Sequence, residues 1–246
     1  MKVGAIVQAR FSSTRLPGKV LKEVPAGSGI TVLEHVTRRL KKSKRLDEII
    51  VATVNKKDSD EIANVAKKEK VTLFRGSEEN VLSRYYFCAK ENELDVIVRI
   101  CSDCPCIDPE IVDSIITRHI KSKSDYTSNT LTRSYPRGFD TEVFNFSVLE
   151  KAYKNAKKPS EKEHVTPYIY KRPKAFKITQ VKAPRELYGP DIRLVLDTKE
   201  DYSFINAIFS LLFKKKAKFT AFDVVKTLRE NPWLKSLNNK VIQKKI

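Results

Sequence analysis

The sequence predicts an α/β protein whose mostly parallel sheet is covered by helices on both faces, which is a three-layer architecture. Short apolar runs at residues 3–7, 48–53, 71–74 and 95–100 are each followed by a segment with helical periodicity. Runs of this kind are typical of strands buried on both faces, and their alternation with helices indicates right-handed crossovers between parallel strands. With 246 residues, the chain is long enough for one such domain.

The helices that follow these strands carry start signals in the sequence. We expect helices over residues 32–40, 59–68, 78–91 and 109–120. The first has Thr31 as N-cap and Glu34 three residues later, a pair typical of a capping box. The fourth has Asp108 as N-cap and Pro109 at its first helical position, where the missing N–H costs no hydrogen bond.

The second half of the chain has shorter β-like runs separated by turn residues. We expect one domain over residues 1–246, with a hairpin-bearing insertion at 127–183. Within the insertion, a helix is expected to start with Ser160 as N-cap and Glu163 completing its capping box. Further strands are expected at residues 176–181 and 192–196, and further helices at residues 200–213 and 221–229.

The chain is strongly basic, with 48 lysines and arginines against 30 acidic residues and a formal net charge of +18. Such an excess is compatible with nucleic-acid binding, but the cations lack the interleaved aromatic residues of a single-strand binding platform. We therefore expect a solvated basic surface that attracts small anionic substrates rather than nucleic acid.

No run approaches the roughly 20 apolar residues of a membrane span, and the first apolar run is too short for a signal peptide. A cytoplasmic location without membrane contact is expected.

Three of the four cysteines, Cys101, Cys104 and Cys106, follow the fourth predicted strand. Their spacing is compatible with a metal or redox site, but the sequence has no second Cys-x-x-Cys pair and no nearby histidine, which structural zinc sites usually have. We favour reduced cysteines packed at the end of a buried strand.

The loop after the first strand, residues 8–19, concentrates chemistry that suits a polyphosphate. It contains three cations and three hydroxyl groups, namely Arg10, Arg15, Lys19, Ser12, Ser13 and Thr14. Backbone N–H and hydroxyl groups can bind phosphate oxygens, while guanidinium and ammonium groups neutralise their charge. The alternative is a solvated basic surface loop, and the choice between the two depends on the rest of the chain.

Two carboxylates occupy positions suited to a metal beside such a cradle. Asp103 follows the fourth strand, and Asp197 ends a later β-like run. Because loops beyond the carboxyl ends of parallel strands face one crevice, the first loop and the Asp103 loop should meet there. Mg²⁺ takes oxygen ligands from one or two acids and completes its shell with water and phosphate oxygens. The alternatives are a turn cap at Asp103 and a helix N-cap at Asp197.

Six segments, taken in order, resemble the motifs of the sugar cytidylyltransferases, which include the CMP-KDO and CMP-sialic acid synthetases. The likeness is greatest to the family of spore coat polysaccharide biosynthesis protein F, and the first segment reads Gln-Ala-Arg-x-Ser-Ser-x-Arg-Leu-Pro-Gly-Lys. The segments are residues 8–19, 74–85, 99–108, 138–144, 160–168 and 193–201. Each motif is weakly specific by itself, but their combination is highly specific.

The resemblance implies a Rossmann-like nucleotide-diphospho-sugar transferase fold and a Mg²⁺-dependent transfer of CMP from CTP to an acidic sugar or similar acceptor. Pyrophosphate would be released, and the product would serve surface polysaccharide or glycoconjugate biosynthesis. Carried over from the family, the catalytic residues are Arg10, Arg15, Lys19 and Asp103, and the metal ligands are Asp103 and Asp197. The nucleotide-binding residues are Gln8, Ala9, Arg10, Ser12, Ser13, Arg15, Lys19, Gly76, Ser83, Arg84, Ser102 and Asp103. The acceptor contacts are Asp140, Glu142, Glu163 and His164.

Several alternatives stay open from the sequence. The proton of the acceptor hydroxyl could go to Asp140 or His164, or a second metal ion could replace a protein base. The same scaffold could use another nucleoside triphosphate, or a phosphonate or polyol acceptor, and family members often form homodimers through the insertion. A non-catalytic polyanion-binding protein is the alternative of another class, but paired carboxylates beside the cradle repel nucleic acid unless a metal is bound.

Overall fold

The computed structural model describes residues 1–215 and 218–243. Its strands are β1 (Val3–Gln8), β2 (Glu48–Val54), β3 (Thr72–Gly76), β4 (Val96–Cys101), β5 (Tyr126–Ser128), β6 (Glu142–Asn145) and β7 (Ile178–Gln180). They form one sheet in the order β3-β2-β1-β4-β6-β5-β7, in which β6 runs antiparallel to both of its neighbours. The other paired strands are parallel. The predicted mostly parallel α/β fold is confirmed.

Helices cover both faces of this sheet. They are α1 (Val32–Leu40), α2 (Asp60–Lys68), α3 (Val81–Glu91), α4 (Pro109–Ser122), α5 (Phe146–Asn155), α6 (Pro159–His164), α7 (Pro167–Tyr170), α8 (Lys199–Lys215) and α9 (Ala221–Glu230). One core cluster joins the sheet to α1, α2, α4, α8 and α9, and a second joins it to α3, α5 and α7. In β1, Val3, Ala5 and Val7 enter the first cluster and Ile6 enters the second, which explains its unbroken apolar run. Among the described residues, no helix combines the length and apolar character that a membrane crossing requires.

The predicted helix starts at α1 and α4 are confirmed. Thr31 Oγ1 accepts the backbone N–H of Glu34 at 3.2 Å, and the Glu34 carboxylate accepts the backbone N–H of Thr31 at 2.7 Å. Asp108 Oδ1 accepts two backbone N–H groups of the first turn of α4, at 2.9 and 3.3 Å. The helix predicted from residue 78 begins slightly later, at Val81.

The predicted start of α6 is wrong. The helix begins at Pro159, so Ser160 lies inside the first turn and does not cap it. The carboxylate that reaches back to the chain before the helix is that of Glu161, which accepts the backbone N–H of Lys158 at 3.3 Å. Pro159 at the first helical position explains the difference, because proline favours that position.

The segment at 192–196 is extended but is not a strand of the sheet, which corrects the prediction. It makes one isolated parallel bridge, to Arg137. Its last residue, Leu196, donates its backbone N–H to the carbonyl oxygen of Asp103 at 2.9 Å. This hydrogen bond brings Asp197, the next residue, to the loop that carries Asp103.

Candidate active site

A cleft of about 610 Å³ opens at the carboxyl ends of β1 and β4. These strands are neighbours in register, with Gln8 opposite Cys101, so the chain leaves both strands at the same edge of the sheet. The predicted site residues on the wall of this cleft are Gln8, Ala9, Arg10, Lys19, Arg84, Ser102, Asp103, Glu163, His164 and Asp197. Residues from both halves of the chain therefore line the same cleft.

Lys19 lies between the two predicted metal ligands. Its Nζ is 2.5 Å from Asp103 Oδ2 and 2.5 Å from Asp197 Oδ1. The Lys19 side chain is only 12% exposed. It follows a tight turn at Gly18, whose φ of 64° lies in the left-handed region that favours glycine. One ammonium group thus joins the loop after β1 to two carboxylates that are distant in sequence.

Further cations surround Asp197. Arg15 Nη2 and Arg193 Nη2 lie 2.9 and 2.8 Å from its Oδ2. Burial would raise the pKa of Asp197, but the charge of Lys19 and the two guanidinium groups outweigh burial and lower that pKa below its usual value. Burial would likewise lower the pKa of Lys19, but the two carboxylates raise it above the ordinary lysine value. Lys19 and Asp197 therefore both stay charged in the neutral range.

In the described part of the chain, Asp103 does not cap a turn and Asp197 does not cap a helix, which were the alternatives that the sequence left open. The N-terminus of α8 is capped by Thr198, whose Oγ1 accepts the backbone N–H of Asp201 at 3.2 Å. The carboxylate of Asp201 in turn accepts the backbone N–H of Thr198 at 3.2 Å. Within the described residues, Asp103 accepts from Lys19 and from the Cys104 thiol, and no backbone N–H donates to its side chain.

Asp103 and Asp197 form a donor set that suits Mg²⁺. Their oxygens lie no further apart than twice 2.5 Å, because both contact the same ammonium nitrogen of Lys19. Carboxylate oxygens are ligands that Mg²⁺ takes in proteins, with water and phosphate oxygens completing its shell. In the part of the chain that the structure describes, no larger group of His, Cys, Asp or Glu side chains is arranged to hold a metal. The position of Lys19 shows that one cation fits between the two carboxylates.

Three predicted nucleotide-binding hydroxyls are not on the cleft wall. Ser12 Oγ donates to Glu78 at 3.1 Å, and Glu78 itself lines the cleft. Ser13 Oγ and Ser83 Oγ make hydrogen bonds within their own turns, at 3.5 and 2.7 Å. These serines shape the loop and the start of α3 in this conformation.

Gly76 makes room for Arg84. A Cβ at Gly76 would lie 3.0 Å from the Cγ of Arg84 and 2.9 Å from the ring of Phe74, closer than packed side chains approach. Arg84 is buried and donates to the carbonyl oxygen of Ser77 at 2.8 Å. Gly76 therefore acts on the cleft through the packing of Arg84.

The predicted acceptor contacts divide into two groups. Glu163 and His164, at the end of α6, line the cleft. Asp140 is not among the residues that line it, and both of its carboxylate oxygens accept from Arg133, at 2.7 and 3.1 Å. The Asp140 carboxylate is therefore already neutralised.

Glu142 also lies off the cleft wall, in a buried polar cluster. Its Oε2 accepts the hydroxyl of Tyr126 at 2.7 Å and the hydroxyl of Thr166 at 2.6 Å. Its Oε1 pairs with the guanidinium of Arg99 on β4. In this arrangement Glu142 ties β4, β5 and β6 to the chain that follows α6.

Five residues of the cleft wall with polar or ionisable side chains were not predicted from the sequence, namely Glu78, Glu79, Cys101, Lys157 and Lys162. Lys157 and Lys162 are exposed and, within the described part of the chain, neither ammonium group has an ion pair. Their position beside the predicted contacts at 163–164 was the signal that could have identified them.

Comparisons with known proteins identify the family. The model of the cytidylyltransferase family matches residues 4–232. The chain is 40% identical over 249 residues to an uncharacterized protein of Methanocaldococcus jannaschii, covering 99% of this chain and 97% of the relative. It is 34% identical to the spore coat polysaccharide biosynthesis protein SpsF of Bacillus subtilis, covering 92% of this chain and 94% of that protein. A 3-deoxy-manno-octulosonate cytidylyltransferase of Fusobacterium nucleatum is 38% identical over about half of each chain, 50% and 48%.

Solved structures agree with this assignment. A cytidylyltransferase from Leptospira borgpetersenii superposes with a TM-score of 0.89 at 34% identity, covering 99% of this chain and all of the other. The structure of CMP:2-keto-3-deoxy-manno-octonic acid synthetase in complex with CTP has a TM-score of 0.64 at 16% identity and supports the fold alone. The family resemblance seen in the sequence is confirmed, and the chain belongs to the cytidylyltransferase family of enzymes.

Proposed function

We propose that this cytidylyltransferase transfers CMP from CTP to a hydroxyl group of an acidic, sugar-like acceptor and releases pyrophosphate. The observation that carries the proposal is the convergence of Lys19, Asp103 and Asp197 at one point of the cleft. Carboxyl ends of parallel strands are where α/β proteins bind ligands, and a cation beside two carboxylates suits a metal-bound triphosphate. The names of two relatives, a spore coat polysaccharide protein and an octulosonate cytidylyltransferase, support a sugar-like acceptor.

The loop after β1 supplies positive charge for the triphosphate. Arg10 is exposed on the cleft wall and, among the residues described, has no ion pair, so its guanidinium is available to phosphate oxygens. Lys19 and Arg15 would stabilise the charge that develops on the leaving pyrophosphate. In the displacement, the acceptor oxygen forms a bond to the α-phosphorus. At the same time, the bond between the α-phosphorus and the oxygen that bridges it to the β-phosphate breaks. Positioning and charge stabilisation supply most of the catalysis in such transfers.

Asp103 and Asp197 would hold Mg²⁺, a metal that the family resemblance implies. When bound, the ion neutralises charge on the phosphate oxygens. The protein keeps Asp197 ionised through Arg15 and Arg193, and Arg193 is itself held by Asp201 at 3.0 Å. Lys19 would exchange its carboxylate contacts for phosphate oxygens when the nucleotide enters.

The acceptor would bind beside α6. The exposed ammonium groups of Lys157 and Lys162 suit an acidic group, and Glu163 and His164 offer hydrogen bonds to hydroxyl groups. The neutralised Asp140 and the buried Glu142 would support this part of the protein without contacting the acceptor.

The test measures pyrophosphate release from each of the four nucleoside triphosphates with Mg²⁺ and a panel of acceptors. The panel contains sugar acids, 3-deoxy-manno-octulosonate among them, with a phosphonate and a polyol. We expect turnover with CTP and a sugar acid, and a loss of at least about tenfold, or roughly 1.4 kcal/mol, in Asp103→Asn. Asp191→Asn is the matched control, because this carboxylate is 73% exposed and lies outside the cleft.

Other outcomes would change or overturn the proposal. Turnover with another triphosphate in place of CTP would change the proposed nucleotide substrate. Turnover with the phosphonate or the polyol in place of the sugar acids would change the proposed acceptor. A rate in Asp103→Asn within tenfold of the wild-type rate would remove the metal assignment. Tight RNA binding that weakens steeply with salt, without any turnover, would instead favour the polyanion-binding alternative.

A further inference from the structure

A strained turn follows α6. The backbone N–H of Thr166 donates to the carbonyl oxygen of His164 at 2.8 Å, and the residue between them, Val165, has φ 70° and ψ −58°. These values define a γ-turn of the rare and strained type. A positive φ is an outlier for a β-branched residue such as valine. Strained backbone of this kind clusters at functional sites, so the turn calls for a functional explanation.

The surroundings hold this turn in place. Val165 is fully buried in the core cluster of α3, α5 and α7. Thr166 Oγ1 donates to Glu142 at 2.6 Å, which anchors the far side of the turn to β6. At the start of α6, the buried Glu161 accepts from Arg172 at 2.8 Å. Strain persists only where the surrounding structure over-determines it, and these contacts meet that condition.

The turn determines where the His164 ring lies. The chain reverses directly after His164, so the ring is on the cleft wall while the next two side chains are buried. The ring is 30% exposed, and within the described residues neither of its nitrogens has a hydrogen bond, the Glu163 carboxylate being 3.9 Å away.

The two other histidines of the chain differ from His164. His35 contacts the carbonyl oxygen of Val24 at 2.5 Å, and His119 bonds to Thr127 and Asn145 at 3.0 Å each. Both rings are buried in the structure. His164 is thus the histidine whose ring nitrogens are available to a ligand in the cleft.

We propose that the γ-turn presents the His164 imidazole as the general base that takes the proton of the attacking acceptor hydroxyl. This inference rests on the proposed CMP transfer. As the acceptor oxygen bonds to the α-phosphorus, its proton passes to a ring nitrogen of His164. The electron pair of the broken bond leaves with pyrophosphate, and His164 then releases the proton to solvent.

The charges around His164 favour the neutral ring that a base requires. Burial lowers the pKa of His164, and the positive charges of Arg99 and Lys171 lower it further, while Glu163 and Glu142 act in the opposite direction with a smaller total effect. A pKa below the ordinary value keeps the ring unprotonated at neutral pH. The rate should therefore fall only on the acid side, as pH drops through this lowered pKa.

The first experiment compares the wild type with His164→Gln and His164→Asn by pyrophosphate release over a range of pH. Loss of a general base typically costs about 10²–10⁴-fold in rate. We expect kcat to fall by at least about 100-fold with little change in the KM of CTP, and the acidic limb of the pH profile to disappear. A His164→Gln enzyme that keeps kcat within about threefold, or keeps the acidic limb, would overturn the proposal.

A second arm changes the charge near the ring without touching the cleft. Lys171 is exposed and is not part of the cleft wall. Lys171→Gln should raise the pKa of His164 and move the acidic limb to higher pH, because a positive charge is removed. The matched control is Lys174→Gln, another exposed lysine of the same segment, and it should leave the limb in place. If the acidic limb of the pH profile stays in place in Lys171→Gln, the limb reports the titration of a group other than His164, and the proposal is overturned.

NMR titration of the free enzyme separates failure of this inference from failure of the proposed function. The chain has only three histidines, so their ring signals can be assigned by substitution. A His164 ring that titrates below the ordinary histidine value supports the inference, and one that is protonated at neutral pH overturns it. Absence of turnover with every triphosphate and acceptor would instead overturn the proposed function, and the base assignment with it.

Discussion

Lys19 compensates two partly buried carboxylates at once, and its loss should be felt in stability as well as in activity. Breaking a buried ion pair typically costs roughly 3–5 kcal/mol, because a charge is left uncompensated. We expect Lys19→Gln to cost less than this range, because Arg15 and Arg193 still neutralise Asp197. The Lys19→Gln enzyme should also lose its activity in the pyrophosphate-release assay. The measurement is chemical denaturation of both proteins at several pH values.

The stability difference between wild type and Lys19→Gln should depend on pH, because the pKa of Asp197 differs between the folded and unfolded states. The pKa of Asp197 is lowered in the folded protein, so its contribution to stability is present above the unfolded-state value of about 3.9 and is lost as pH falls through the folded-state value. The difference between wild type and Lys19→Gln should therefore be largest near neutral pH and shrink in acid. Lys235→Gln is the matched control, because its ion pair with Asp191 is exposed and contributes little. A difference that grows in acid would contradict this account.

The sequence predicted which charged residues would lie close together in the cleft, but not the partners of the predicted acceptor contacts Asp140 and Glu142. Arg10, Lys19 and Asp103 could be assigned because their loops follow predicted parallel strands, and parallel strands bring their carboxyl ends together. Asp197 was expected there at the end of a further strand, but the hydrogen bond from Leu196 to Asp103 brings it there instead. The partners of Asp140 and Glu142 could not be assigned. Glu142 bonds to residues 16 and 24 positions away along the chain, and no local pattern encodes such pairs.

At the scale of single elements, Asp108 holds two helices together. Its Oδ1 caps α4, and its Oδ2 accepts the backbone N–H of Ala221, the first residue of α9, at 2.7 Å. The sequence predicted the first role, because Asp before Pro is a local signal. The second role joins residues 113 positions apart and was not predictable.

Asp108→Asn tests the second role separately. An asparagine can keep its carbonyl oxygen toward α4, but its amide group would then face the N–H of Ala221. We expect a loss of about 1–3 kcal/mol in the free energy of unfolding, the cost of leaving a buried donor unsatisfied. Asp108→Ala should cost more, because it also removes the N-cap, typically about 1 kcal/mol. Equal stability of wild type and Asp108→Asn, measured by urea denaturation, would show that the bond to Ala221 contributes nothing.

Elements were predictable where both their ends and their periodicity are local. The strands and helices of the first half satisfied this condition, and their bounds differ little from the prediction. The segment 192–196 has the composition of a strand, but its extended backbone bonds to the loops at 137 and 103 rather than to a sheet strand. The γ-turn at Val165 had no sequence signal, because valine is disfavoured there.

At the scale of the whole molecule, the segment at 127–183 shares the sheet of the first half. β6 pairs with β4, and β5 and β7 extend the sheet beyond β6. The pair of Arg99 and Glu142 crosses this junction in the buried interior. These contacts give a physical reason to expect one domain over the chain. Unfolding experiments can test this prediction.

Unfolding should therefore occur in one cooperative transition. The single tryptophan, Trp233, is 55% exposed and lies in the 3-10 helix Pro232–Leu237 after α9, next to the buried Leu234. Its fluorescence therefore reports on the C-terminal part of the chain. Far-UV circular dichroism reports on all helices and strands. We expect the two transitions in urea to coincide, as in a two-state domain, and CTP at about 100 times its Kd to stabilise both by roughly 2.7 kcal/mol. If Trp233 fluorescence changes at lower urea than the dichroism does, or responds to CTP differently, the chain contains more than one unfolding unit.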